Sequence, residues 1–186
     1  MRIGIDIDDT ITNTWSDIIP YYSIWFNIPI DTLKKSKPYY NPVKDIYTKE
    51  EYFEIIKPIY EGVVPYVSLK DNVRKVINKL HNLGHKIIFI SARGKGYIDS
   101  YDLTKDYLDR NNIYYDKIIV DIDNKDKACL DEKIDLFIDD SYKHCKEVYD
   151  VGINVLMIDN DFNNDCFEFN KINNWNEIYK YIENGW

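Results

Sequence analysis

The apolar run Ile3-Gly4-Ile5 passes directly into three carboxylates and a threonine, Asp6-Ile7-Asp8-Asp9-Thr10. No other stretch limits the possible folds so sharply. A short β-branched run bounded by acids reads as a buried strand that delivers charge at its carboxyl end. In open α/β sheets the ligand crevice lies outside that end. Alternation along extended backbone puts Asp6 and Asp8 on one side and turns Ile7 to the other. Carboxylates crowded in this way raise one another's pKa unless a cation intervenes. The spacing therefore fits a divalent-metal site, or a carboxylate nucleophile with an acid partner. It fits equally a strand followed by an Asp/Thr turn that caps a helix.

The rest of the chain supplies partners for such a strand. From Leu69 onward, Val73, Val76, Ile77, Leu80 and Leu83 recur with helical spacing and Gly84 marks a stop. Lys86 to Ile90 is a second strand ending in Ser91-Ala92-Arg93, and residues 98 to 111 read as a helix with Tyr101, Thr104, Tyr107 and Leu108 facing inward. Lys117 to Val120 is a third strand, followed by a short helix to Lys133. Asp135 to Ile138 is a fourth, closing in Asp139-Asp140-Ser141. A helix from Tyr142 to Val151, a fifth strand from Ile153 to Ile158 and a terminal helix from Trp175 to Glu183 complete the alternation. Five strands separated by helices imply a parallel sheet with right-handed crossovers.

Residues 14 to 67 break this rhythm. They carry a helical pattern from Thr14 to Asn27, which Pro20 is expected to kink or end, and a second from Lys49 to Tyr60. Prolines 29, 38, 42, 58 and 65 and many aromatics fall in the same block. It reads as a helical insertion of residues 14–67 into a core made of residues 1–13 and 68–186. Most of its aromatics would fill its own small core; Trp25, Tyr39 and Tyr40 are left as candidate substrate contacts.

Bulk properties narrow the partners. A net charge of −8 argues against a nucleic-acid polymer or an anionic membrane surface, yet leaves room for a phosphorylated metabolite in a local cationic pocket. No basic leader with a small-residue cleavage site follows Met1, and no apolar run approaches membrane-spanning length, so a soluble cytoplasmic protein is expected, as a monomer or small homo-oligomer. Cys129, Cys145 and Cys166 are odd in number and lack metal-like spacing, which points to reduced, packed thiols. His81, His85 and His144 are too scattered to suggest a zinc set.

Parallel topology would bring four strand ends to one edge: Asp6/Asp8/Asp9, Ser91/Arg93, Lys127 and Asp139/Asp140. Each has an ordinary explanation as a cap, a turn or a solvated side chain. Together they suit phosphoryl transfer. A phosphate monoester would be expelled by so many carboxylates unless Mg2+ stood between Asp6, Asp139 and the phosphate. Ser91, Lys127 and backbone N–H groups would hold the equatorial oxygens, and Arg93 would clamp a phosphate or sugar hydroxyl. Asp6 would attack phosphorus, and Asp8 would protonate the leaving alkoxide and then activate water.

These motifs resemble those of the haloacid dehalogenase (HAD) superfamily. Its Asp-x-Asp-x-Thr/Val matches Asp6 to Thr10, its Ser/Thr motif matches Ser91, its lysine matches Lys127 with Lys125 competing, and its acidic motif matches Asp139-Asp140. The resemblance covers about residues 1 to 160. It implies a Rossmann-like sheet of order 5-4-1-2-3 with a helical C1-type cap, an Asp6 nucleophile, an Asp8 acid/base and Mg2+ held by Asp6, Asp139 and the Asp8 carbonyl, with Thr10 and Asp140 beside them. Ser91-Ala92-Arg93 is similar to a Thr-Ala-Arg of the cytosolic 5′-nucleotidase and deoxyribonucleotidase branch, and Asn173-Asn174-Trp175 to a tail element there; this implies a nucleoside monophosphate as substrate. Positions 8 to 10 read Asp-Asp-Thr where deoxyribonucleotidases tend to have Asp-Gly-Val. Two other readings stand beside it: a phosphatase for a non-nucleotide ester, and a phospho-accepting receiver module, which lacks both the first motif and the insertion.

Overall fold

The computed structural model describes residues 1–36, 38–39, 41–94, 99–163 and 168–185. Tyr40 and Cys166 lie outside them. The strands are β1 (Arg2–Ile5), β2 (Lys86–Ile90), β3 (Lys117–Ile119), β4 (Leu136–Asp139), β5 (Asn154–Ile158) and β6 (Asn170–Ile172). They form one parallel sheet in the order β3-β2-β1-β4-β5-β6. Five strands take the expected order. The sixth corrects the expected count: Asn170-Lys171-Ile172 is too short to show period-two patterning, and its pairing with β5 alone defines it.

The helices are α1 (Thr14–Phe26), α2 (Ile30–Lys35), α3 (Lys49–Gly62), α4 (Val73–Asn82), α5 (Ser100–Arg110), α6 (Lys125–Asp131), α7 (Tyr142–Asp150) and α8 (Trp175–Glu183). Strand alternation divides the core into two layers. Ile3, Ile5, Ile87 and Phe89 face α4, α5 and α8 through Val76, Ile77, Leu80, Leu108, Trp175 and Ile178. Ile88, Ile90, Phe137, Val155 and Met157 face α6 and α7 through Cys129, Cys145 and Val148. Gly4 allows close packing at the centre of the sheet, since a Cβ there would meet the Phe137 ring at 2.9 Å. Both described cysteines are free and buried.

Two local expectations fail for physical reasons. Helix α1 runs through Pro20 without a break. A mid-helix proline costs about 3 kcal/mol, and burial of Trp15, Ile18, Ile19 and Tyr22 on one face offsets it. Tyr101 and Leu83 are about half exposed, Tyr101 in the first turn of α5 and Leu83 just past the end of α4, where the helix has few neighbours to pack on. Within residues 14–67, Trp15, Tyr22 and Tyr52 are buried, and Trp15 meets Tyr22 edge-on at 5.2 Å. Among the described residues no helix is long and apolar enough to cross a membrane.

Candidate active site

Register brings the acids together. Ile5 of β1 pairs with Ile138 of β4, and the Asp6 N–H donates to the Ile138 carbonyl at 2.9 Å. Asp6 and Asp139 thus leave adjacent strands at the same level, on the floor of a cleft of about 850 Å3. Between them lies the Lys125 ammonium, 2.6 Å from Asp6 Oδ1 and 2.6 Å from Asp139 Oδ2. The second Asp139 oxygen accepts the Ser141 N–H at 2.7 Å, and His144 Nδ1 stands 3.5 Å from Oδ2.

This corrects the lysine assignment. Lys125 opens α6 and is buried, whereas Lys127 is exposed and lines a separate shallow depression with Asp131 and Glu132. Two residues along a helix turn the side chain through roughly 200°, so only one of the pair can face the sheet.

One ammonium cannot satisfy two buried carboxylates. Burial would raise Asp139, but Lys125 and His144 outweigh it and hold it down at about 2. At Asp6 burial wins over Lys125, and its pKa rises. Asp140 is pushed well above the usual carboxylate range by burial and by the charges of Asp139, Asp9 and Asp6. Thr10 ties Asp140 in place, since its hydroxyl donates to Asp140 Oδ1 at 3.1 Å and faces the Asp140 N–H at 3.0 Å. Oxygens of Asp6, Asp139 and Asp140 lie within 4.8 Å of one another. Hard oxygen donors at that spacing, short of positive charge, fit a small divalent cation.

Asp8 is held differently. Arg93 Nε donates to Oδ2 at 2.9 Å, Arg93 Nη2 to Oδ1 at 2.5 Å, and the Thr14 hydroxyl to Oδ1 at 2.7 Å. Burial acts to raise Asp8, but the guanidinium and these bonds depress it below its ordinary value. Arg93 is itself buried, so the expected free phosphate clamp is instead committed to Asp8. Ser91 and Ala92 line the cleft beside it, and Ser91 Oγ accepts the Arg93 N–H at 3.4 Å.

Asp9 adopts φ +59°, a left-handed conformation. Its carboxylate accepts the Trp15 N–H at 2.9 Å and the Tyr39 hydroxyl, and burial lifts its pKa to about 6. Over the acids, Tyr39, Tyr52, Phe53, Ile56 and Tyr60 form the cleft's apolar wall. Tyr39 therefore faces the cleft, while Trp25 is about half exposed and is not among its lining residues.

Asn160 and Asn163 escaped sequence reasoning. Both lie in the turn after β5 and contact Asp140. The buried indole N–H of Trp175 donates to the Thr10 carbonyl at 3.1 Å, bringing the late Asn-Asn-Trp element to the first motif. An isolated Asn in a polar turn carries no such signal.

The fold is of the HAD type, with its acids gathered at one edge of the sheet. The family model described as 5′ nucleotidase, deoxy (Pyrimidine), cytosolic type C protein matches residues 1–184, and the chain belongs to that family. It is 30% identical over 188 residues to the nucleotidase CA_C3379 of Clostridium acetobutylicum, covering 98% of this chain and 94% of that protein. Among solved structures, the haloacid dehalogenase-like hydrolase SP0104 of Streptococcus pneumoniae superposes with a TM-score of 0.74 at 14% identity, covering 97% of each chain. YfnB of Bacillus subtilis, placed among the HAD hydrolases and solved bound to magnesium, gives a TM-score of 0.66 at 15% identity, covering 98% of each. The protein is accordingly an enzyme of the nucleotidase and phosphatase group.

Proposed function

We propose that the enzyme hydrolyses small phosphate monoesters, nucleoside monophosphates foremost, with Mg2+ and through an aspartyl phosphate on Asp6. The observation that carries this reading is the convergence of Asp6, Lys125, Asp139 and Asp140 on the floor of one cleft. Family membership supports the nucleotide, and the cytosolic type in the family's description supports a cytoplasmic location. Residues 14–67 would act as the cap that carries the cleft's aromatic wall.

Asp6 and Asp140 would hold the ion, joined by the Asp8 carbonyl. Asp139, which accepts from Lys125 and from the Ser141 N–H, completes the acidic set and anchors that lysine beside the ion. When bound, the ion offsets phosphate and carboxylate charge and draws electron density from the phosphoryl oxygens. Lys125, Ser91 and nearby backbone N–H groups hold the remaining oxygens.

An Asp6 carboxylate oxygen bonds to phosphorus as the ester P–O bond breaks, and Asp8 gives its proton to the departing oxygen. Water then attacks the phosphoryl group, Asp8 takes the water's proton, and the Asp6–phosphorus bond breaks to release inorganic phosphate. Arg93 keeps Asp8 ionised in the free protein. The arriving phosphate dianion, a like charge beside Asp8, favours a proton on its carboxyl.

A panel of nucleoside monophosphates, sugar phosphates and p-nitrophenyl phosphate, assayed with Mg2+ and with EDTA, tests the reading. Turnover that needs Mg2+ and is highest on nucleotides is expected. Mg2+-independent turnover, or none on any ester, would overturn it.

A further inference from the structure

We infer that Asn160, in the turn after β5 and braced by β6, is a positioning residue that aims the Asp140 carboxylate at the divalent cation; this rests on the reading of the site given above. The contacts form a chain from the sheet edge to the acid. Asn160 Nδ2 donates to Asp140 Oδ2 at 3.1 Å, opposite the Thr10 bond on Oδ1. The buried Asn163 donates through Nδ2 to the Asp140 carbonyl at 3.0 Å and to the Ile158 carbonyl at 2.8 Å. Both the main chain and the side chain of Asp140 are thereby held from a single turn, residues 159–163.

That turn is itself fixed. The Asn160 N–H donates to Asn163 Oδ1 at 3.2 Å, and the Phe162 N–H donates to Asn160 Oδ1 at 2.8 Å. From β6, Lys171 Nζ donates to the Asn163 carbonyl at 2.6 Å and pairs with Asp159 at 3.1 Å, while the Asp159 N–H donates to the Ile172 carbonyl at 3.0 Å. The sixth strand therefore braces the turn that sets Asp140.

The chemistry of the donor matters. Asp139 is gripped by an ammonium that neutralises it. Asp140 is gripped by a hydroxyl and an amide, which fix direction and bring no positive charge of their own. A carboxylate beside the like charges of Asp6 and Asp139 would otherwise swing away from them. Neutral donors keep it in the cluster with lone pairs still open to a cation.

The test is the Asn160→Ala protein titrated with Mg2+ alone, by calorimetry and by the Mg2+-induced rise in melting temperature. The expected result is a Mg2+ Kd about 10- to 100-fold weaker than wild type, with the melting temperature of the metal-free protein little changed. Lys171→Met, which loosens the same turn from another strand, should shift Kd in the same direction by less, and it decides the matter if Asn160→Ala does not fold. An unchanged Mg2+ Kd overturns the proposal, and so does a raised KM at saturating Mg2+ with unchanged metal affinity, since that marks Asn160 as a substrate contact. A wild-type protein that binds no Mg2+ removes the functional reading and this inference together; equal binding by wild type and variant removes the inference alone.

Discussion

Replacing Arg93 by lysine separates two roles for a buried guanidinium, clamping substrate phosphate or holding Asp8. The side chain is 2% exposed and spends two donors on Asp8, at 2.9 and 2.5 Å. Lysine keeps the charge but offers a single point in place of the planar fork. One charge-assisted bond in a buried site contributes roughly 1.5–3 kcal/mol. Spread over a chain of this size, that loss lowers the melting temperature by roughly 3–12 °C. The catalytic effect should depend on the leaving group. Alkyl phosphates need a proton from a well-aimed Asp8, and misaiming it should cost on the order of 10- to 100-fold in kcat, within the usual worth of a general acid. p-Nitrophenyl phosphate, whose leaving group departs without help, should lose several-fold less. Steady-state kinetics on both ester types, with inorganic phosphate as competitive inhibitor, makes the comparison. An equal loss on both, accompanied by a weaker phosphate inhibition constant, would refute the role of Arg93 as the holder of Asp8.

Asp6→Asn should reduce turnover to background while leaving the melting temperature unchanged or higher, because a buried acid whose burial outweighs its lysine is replaced by a neutral isostere; residual wild-type turnover would remove the proposed nucleophile. Lys125→Ala should abolish activity and cost roughly 3–5 kcal/mol by leaving buried Asp139 unpaired, whereas exposed Lys127→Ala should stay within about 0.5 kcal/mol, as urea melts would show. Asp9→Gly should be more stable than Asp9→Ala by about 1 kcal/mol, since both lose the bonds from Trp15 and Tyr39 but only glycine adopts φ +59° without strain; thermal melts of the two decide it. Asp116 accepts from the Ile87 N–H and from Lys86 at 2.8 Å each, and although burial works the other way these contacts lower its pKa. A depressed folded pKa gives stability that is present above the unfolded value and lost as pH falls through the folded one. Asp116→Asn should therefore be less stable than wild type at pH 7, and the gap should narrow as pH falls from the ordinary aspartate value of about 3.9 through the lower folded one.

The parallel core was readable because each strand is an apolar run with a polar end, and β1, β2, β4 and β5 fall where those runs lie. What escaped were features fixed by tertiary contact. Strand β6 is only Asn170–Ile172, defined by its neighbour. The choice between Lys125 and Lys127 depends on the rotation of a helix whose start the sequence places only within a residue or two. The acids Asp6, Asp8 and Asp139 reach the cleft as the strand ends implied, yet the fate of Arg93 did not show, because a cationic side chain after a strand looks alike whether it awaits a substrate or already holds Asp8. The left-handed backbone at position 9 is one that glycine adopts freely, and Asp9 tolerates it with bonds from Trp15 and Tyr39.

Strand β1 is made first and sits in the middle, between β2 and β4. As the chain leaves the ribosome, Asp6 appears long before Lys125, 119 positions later, and before the strand that carries Asp139. Until β2 is made the earliest strand has two unpaired edges, until β4 it keeps one, and its carboxylate waits for its counter-charge. Folding of such a chain waits on distant pairings, so it should be slow and prone to stick to other chains at its beginning. A nascent protein halted before β4 would hold Asp6 and lack the lysine's second anchor.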